Sequence, residues 1–315
     1  MSSYSIGIDL GGTNLRAAAV SDTGFELDRI AFPAHFLDGP ARVIEDIAGA
    51  IERLRVQRRT GRLNGIGIGV PGFIDAHNGV VVSAANLPGF ENFPIRDQLQ
   101  RRLDVPVLLE NDANAAALGE MWMGAGQSVR DLILITLGTG IGGGIVHDGK
   151  ILGGSRGMAG EIGHMTVFPD GNPCGCGNYG CLEKHASASA ITAMARMLNL
   201  GSDITAAGVH KLALEGNERA LQIFESMGRA LGIAIANLIT VFDFPLFLLT
   251  GGPLPAWDFF APAMFAEARR RSYTFRRFGI RIEKAALGSD AGLFGASYLS
   301  FQRSTRREIA VSVAG

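Results

Sequence analysis

All three cysteines of the 315-residue chain lie within EIGHMTVFPDGNPCGCGNYGCLE, residues 161–183. Cys174, Cys176 and Cys181, with the imidazole of His164, make a Cys3His set, one of the usual closed tetrahedral zinc sites. Gly175, Gly177, Asn178, Tyr179 and Gly180 separate the sulfurs, so the loop can fold tightly around an ion. Packing alone does not suit three cysteines in so polar a loop, and the C-x-C-x4-C spacing is tighter than that of a zinc ribbon. Four protein ligands leave no open position, so the metal is expected to be structural. One nitrogen of His164 would bind it and leave the other to donate outward. Glu161 and Glu183 then stand as carboxylates at the two ends of a metal clip. Carboxylates accepting from adjacent hydroxyls are how proteins hold a sugar; taken singly, each glutamate reads equally as a solvated surface charge.

Two glycine turns carry a second kind of chemistry. In DLGGTN, Gly11 and Gly12 let the backbone approach a ligand closely, while Thr13 and Asn14 add donors, a combination that suits a phosphate. Asp9, at the preceding strand end, can hold Mg2+ through water, since hard cations prefer carboxylate oxygen and retain several waters. A plain tight hairpin accounts for the same residues. The other turn, LGTGIGGGI at residues 137–145, places Gly138, Gly140 and Gly143 in G-x-G-x-x-G after a strand, as in a dinucleotide fold. That fold requires a helix next, whereas IVHDGKIL alternates like a strand and ends in the hairpin signal Asp148-Gly149. A phosphate turn between paired strands fits better.

A third group is ENDANAAALGE, where a buried strand meets a helix at Glu110, Asn111 and Asp112. Asp112 can cap that helix, and an ionised aspartate there can accept a hydroxyl proton as the hydroxyl attacks phosphorus. The N-cap role alone is the simpler reading of an isolated aspartate. Asn86, in SAANLPGFENFP, can reach a hydroxyl or merely form a turn.

The elements that position these groups alternate. Strand-turn-strand YSIGIDLGGTNLRAAAV, with SDTG closing a hairpin, is repeated in plan by DLILITLGTGIGGGIVHDGKIL, with Ile8-Asp9-Leu10-Gly11 answering Ile135-Thr136-Leu137-Gly138. This is read as an internal duplication. Between the copies come helical ARVIEDIAGAIERLRVQRR, strand GIGIGVPG, a loop rich in Gly, Asn and Pro, and strand PVLLEND running into a helix. Helices are expected from Ala186 to about Leu200 and from Glu218 to Val241, then strand LFLLTGG, a last helix from near Asp290, and a frayed tail STRREIAVSVAG. The result is a mixed sheet with helices packed on it, occurring twice.

Composition sets the frame. The length permits two domains, and 47% hydrophobic against 19% charged residues describes a folded protein. A net charge of -1, read as having no basic block, points to small molecules or copies of the chain as partners, with no nucleic acid and no membrane expected. The N-terminus lacks a signal-peptide pattern, so a cytoplasmic protein with reduced cysteines is expected. LGIAIANLITVFDFPLFLLTGG is apolar enough to suggest a span, but Asn237, Asp243 and Pro245 favour a buried helix, a turn and a buried strand.

DLGGTN, GVPG, NLPGF, ENDANAAALGE, LGTGIGGGI, EIGH and CGCGNYGCLE, in this order from about Ser5 to Ser297, resemble the ROK family of repressors, open reading frames and kinases. The resemblance implies an α/β actin-like ATPase fold, built from two ribonuclease-H-like domains with ATP and sugar between them. The final helix would return to the first domain, giving residues 1–118 plus 291–315 and residues 119–290. It also implies Asp112 as catalytic base. Asn86, Asn111, Asp112, Glu161, His164 and Glu183 would bind sugar, and His164, Cys174, Cys176 and Cys181 would bind zinc. Phosphate turns fall on Asp9, Gly11, Gly12, Thr13 and Asn14, and on Gly138, Thr139, Gly140 and Gly142. The adenosine contact falls at Thr250-Gly251-Gly252, after which PLPAWDFF departs from the family's usual glycine and valine.

These readings lead to an ATP- and Mg2+-dependent hexokinase-type enzyme acting on a 6-hydroxyl, with glucose as the first-choice hexose and structural zinc, working as a homodimer. N-Acetylglucosamine, N-acetylmannosamine, mannose, fructose or allose are alternative substrates, and polyphosphate is an alternative donor. A sugar-sensing regulator and an NAD-dependent dehydrogenase are the competing classes. ROK repressors carry a winged helix-turn-helix ahead of the kinase-like body; with a first strand beginning by Tyr4, none is expected here.

Overall fold

The computed structural model describes residues 3–11, 14–57, 61–84 and 87–313. The chain forms two compact units, one of Met1–Arg130, Gly144–Ala159 and Ala286–Gly315, the other of Asp131–Gly143 and Gly160–Ala285.

The chain opens as a meander of β1 (Ser3–Leu10), β2 (Asn14–Ser21) and β3 (Glu26–Pro33), followed by α1 (Pro40–Gln57) and β4 (Arg62–Val70). In α1, Val43, Ile47, Ile51 and Leu54 are fully buried, the i, i+4 stripe that the sequence shows. The stretch read as a loop holds more structure: a hairpin of β5 (Phe73–Asp75) and β6 (Val80–Ser83), then α2 (Ile95–Leu103). Ile95, Leu99 and Leu103 are the buried face of α2, a signal too brief to stand out among the surrounding turn residues. Then come β7 (Val107–Asn111), α3 (Asp112–Met123), β8 (Leu132–Leu137), β9 (Ile141–His147) and β10 (Lys150–Ile151).

Beyond the cysteine loop lie α4 (Glu183–Ala186), α5 (Ala188–Met197), α6 (Ala206–Leu214), α7 (Glu218–Phe242) and β11 (Leu246–Gly251). The helix expected from Ala186 is α5, starting two residues later and separated from the short α4. Ser187 divides the two, extended and capping α5 by accepting from Ala190 N at 3.1 Å. α7 is long and apolar enough to cross a membrane, but its apolar residues form a protein core, with Phe224, Met227, Leu231, Ile235 and Ile239 buried. It ends at left-handed Asp243, the turn expected at DFP.

The departure at PLPAWDFF coincides with α8 (Trp257–Arg271), after which α9 (Tyr273–Arg277), β12 (Arg281–Lys284) and α10 (Ala291–Val313) complete the chain. α10 starts where expected. It runs on to Val313, through most of the tail expected to be frayed.

Two five-stranded sheets share one plan: β3-β2-β1-β4-β7 and β10-β9-β8-β11-β12. In each, an antiparallel meander is extended by two strands that continue parallel to its first, as the duplicated strand-turn-strand motif implies. β9 begins at Ile141, inside LGTGIGGGI, and Asp148 and Gly149 turn it into β10 at positive φ. No helix follows Gly143, so the dinucleotide-fold reading is excluded. Within the first unit α10 packs on α3 and on β1 and β4. The approach of α10 to α3 is so close that a Cβ on Gly295 would lie 1.6 Å from Ala115 O.

Candidate functional site

In the first unit the expected residues gather at the carboxyl ends of β1 and β7. Asn111 is the last residue of β7 and Asp112 the first of α3. The cap is not the one expected from sequence: Asn111 Oδ1 accepts from Asn114 N (3.2 Å) as well as from Ala113 N (2.9 Å). Either side chain can reach the free amides of a first helical turn; extended backbone at Asn111 settles it, because an N-cap sits just outside the helix. Asn111 Nδ2 also donates to Gly72 O at 3.1 Å.

Asp112 is relieved of capping. Its Oδ1 accepts from Ala113 N at 2.8 Å, and the Asn111 side chain also hydrogen-bonds this carboxylate. Burial pushes its carboxyl up to about 6, the Ala113 amide opposes this, and the negative charge of Asp9 adds to it. Asp9 is buried at the end of β1 and ion-paired through Oδ2 to Arg16, its neighbour across the hairpin. Arg16 also donates to Ser289 O at 2.6 Å, and Asp290 joins Arg16 to Arg29. Sequence reading missed Arg16; its signal was register, since a residue facing Asp9 across a tight turn must be its partner. With Oδ2 engaged, Asp9 Oδ1 is the oxygen left for a metal-bound water, so the donor set fits hydrated Mg2+. Gly11 N donates to Asn14 O at 2.9 Å and closes the first turn; Gly12, Thr13 and Asn86 lie outside the described residues.

A buried frame supports this corner. Glu110 Oε1 accepts from Asn111 N and from Asn114 Nδ2, both at 3.0 Å, and burial raises its carboxyl. Glu120, fully buried at the other end of α3, accepts from Ala125 N, Ala286 N and Leu287 N at 2.7–3.0 Å. The amides of Ala286 and Leu287 are brought to Glu120 by the fold, so that role was not visible in sequence.

In the second unit the Cys3His set assembles as expected, with the ligand atoms of His164, Cys174, Cys176 and Cys181 within 4.8 Å of one another. Bonds of about 2.3 Å to sulfur and about 2.0 Å to nitrogen give tetrahedral edges of about 3.8 Å between sulfurs and about 3.6 Å between sulfur and nitrogen. Cys176 Sγ and Cys181 Sγ are 3.7 Å apart, and Cys174 Sγ is 3.6 Å from His164 Nδ1. The residues fit zinc, with Nδ1 as the ligand and Nε2 left to point away. Hydrogen bonds from Cys174 N to Asn178 O and from Val167 N to Gly180 O (2.8 and 2.9 Å) shape the loop independently of any ion.

Glu161 and Glu183 come together beside His164. The Glu161 carboxyl is pushed up by burial and by the charge of Glu183, with His164 acting the other way. The second glycine turn is closed by Gly138 N to Gly140 O (2.9 Å) and by Gly142 N to Thr136 Oγ1 (3.1 Å). Gly251, at the end of β11, must be glycine: its φ is +114° and a Cβ would lie 1.9 Å from Leu137 O. A cavity of about 610 Å³ is lined by Thr139 and Gly252 and also by Ser189, Thr192, Arg196 and Asp203. The last four sit on or beside α5, which no motif singled out.

The paired sheets, each a meander extended by two parallel strands, define an actin-like ATPase fold. The chain matches the ROK family over residues 5–303 and belongs to it. It is 38% identical to a glucokinase of Halalkalibacterium halodurans over 96% of each chain. Among solved structures it resembles a ROK hexokinase from Thermus thermophilus, with a TM-score of 0.87 and 36% identity over 96% of this chain and 100% of that one. It also resembles a ROK family glucokinase from Streptomyces griseus in complex with glucose and AMPPNP, with a TM-score of 0.76 and 32% identity over 95% of this chain and 100% of that one.

Proposed function

We propose that the chain is an ATP-dependent sugar kinase that phosphorylates the 6-hydroxyl of a hexose, with glucose as its preferred substrate. The observation that carries this reading is Asp112, a buried carboxylate freed of capping by Asn111 and tuned to about 6, near the operating pH where a general base works best. Its carboxylate takes the proton as the hydroxyl oxygen bonds to the γ-phosphorus. The bond from that phosphorus to the β–γ bridging oxygen breaks, and ADP leaves. In the first unit Asn111 would bind sugar hydroxyls, with Asn86 as a further ligand; in the second unit Glu161, His164 and Glu183 would do so.

In the second unit ATP would lie with phosphate on the turn at Gly138–Gly142 and adenosine in the cavity at Thr139 and Gly252; in the first unit the turn at Gly11–Asn14 is a phosphate-binding candidate. Asp9 would hold Mg2+ through water, and the bound ion would offset charge on the transferred phosphoryl. The glucokinase relatives, one of them solved with glucose and AMPPNP, support glucose and ATP as the pair. We place the protein in the cytoplasm as a homodimer, which light scattering of the purified chain would test.

A coupled assay with Mg-ATP across glucose, N-acetylglucosamine, N-acetylmannosamine, mannose, fructose and allose tests the reading, with polyphosphate as a second donor. Glucose is expected to give the highest kcat/KM. A higher value for another hexose replaces the substrate, and no turnover on any of them with either donor removes the activity.

A further inference from the structure

Glu183 opens α4, two residues past Cys181, so the metal loop fixes where its side chain starts. Its Oε2 accepts from Ile141 N at 3.1 Å. It fills the space beside Gly140, where a Cβ would lie 2.3 Å from that oxygen. Farther along the same stretch, Ala188 N donates to Gly138 O at 2.9 Å. The glycine turn is therefore tied at both ends to the segment from Glu183 to Ala188. The other oxygen, Oε1, has Lys184 Nζ at 4.0 Å.

We infer that Glu183 is a positioning residue for the nucleotide as well as a sugar ligand: one carboxylate oxygen holds the phosphate turn through the Ile141 amide, and the other takes a sugar hydroxyl. This rests on the proposed roles of the turn and of Glu183. The coupling has a definite direction. A carboxylate inside an anion-binding turn occupies one of its amides and repels a triphosphate. A sugar hydroxyl donating to Oε1 draws charge away from Oε2 and weakens both effects. Bound sugar should therefore tighten nucleotide binding, and coupling between sites is typically about 5- to 150-fold.

The test is AMPPNP binding by calorimetry on the zinc-loaded protein, with and without saturating glucose, alongside amide exchange at Ile141. In the wild type, glucose is expected to tighten AMPPNP about 5- to 10-fold, and the Ile141 amide to be protected without ligands. Glu183→Gln keeps an acceptor for Ile141 and removes the charge. It should bind AMPPNP at least as tightly as wild type in the absence of glucose, with the glucose effect reduced below about twofold. Glu183→Ala should weaken AMPPNP several-fold and speed exchange at Ile141. A merely structural role would lower the melting temperature and leave the glucose effect in place.

An unprotected Ile141 amide in the wild type overturns the inference even if neither variant folds, as does an undiminished glucose effect in Glu183→Gln. If that variant binds no glucose, its AMPPNP affinity alone decides, and weaker binding than wild type overturns the inference. Failure of the wild type to bind AMPPNP at all would instead remove the phosphate-turn reading.

Discussion

The two sheets repeat one topology, yet their matching turns are chemically opposite. Where the first strand of one copy ends in Asp9, its counterpart ends in Thr136. Asp9 brings a buried charge that needs Arg16 and raises Asp112. Thr136 brings a neutral hydroxyl that accepts from Gly142 N and closes its own turn. One copy has become an acid centre and the other a cradle of amides, so a duplicated backbone imposed position without imposing chemistry.

The sharpest way to break this contrast is Asp112→Asn, which keeps shape and removes the base. Turnover should fall by about 10²- to 10⁴-fold with sugar binding retained, measured by the coupled assay and glucose calorimetry. Wild-type turnover in a folded, sugar-binding variant would end the general-base role. Next in size is the metal. Elemental analysis should find one zinc per chain, bound by the residues 3.6–3.7 Å apart in the loop. Cys181→Ser should lose that zinc and on the order of 3 kcal/mol of stability; well below one zinc per wild-type chain, with normal activity, would remove the metal from this account.

A smaller effect belongs to the neutral copy. Thr136→Val removes the acceptor of Gly142 N and should raise the KM for ATP about fivefold, corresponding to about 1 kcal/mol for one hydrogen bond. The KM for sugar should be unchanged, and an equal rise in both would argue against a local role. The smallest effect tests the charge of the acid copy. A base must be ionised to accept a proton, so kcat/KM should fall as pH drops through about 6. Asp9→Asn removes a negative neighbour and should move that acid limb downward by less than about one unit. An unmoved limb would show that burial alone sets Asp112.

Much of this was legible because the signals were local. The C-x-C-x4-C loop could do little but gather its sulfurs, and β9 betrayed itself by alternation and by Asp148-Gly149. Other readings failed for equally physical reasons. Both Asn111 and Asp112 carry side chains able to cap α3, and only the backbone angle at Asn111 chose between them. α2 and α6, nine residues each, fall below the length at which a helix declares itself without tertiary packing.

The sequence by itself determined the duplicated strand-turn-strand, the Cys3His set and the candidate base. Each follows from residue type and spacing over a few positions, where chain connectivity keeps the groups near one another. The tertiary structure alone decided which charges meet: Asp290 with Arg16 and Arg29, Glu120 with the amides of Ala286 and Leu287, and Glu183 with the amide of Ile141. Those partners are separated by about 40 to more than 270 positions along the chain. Only the burial of apolar surface, which carries no label of its polar passengers, brings them within reach.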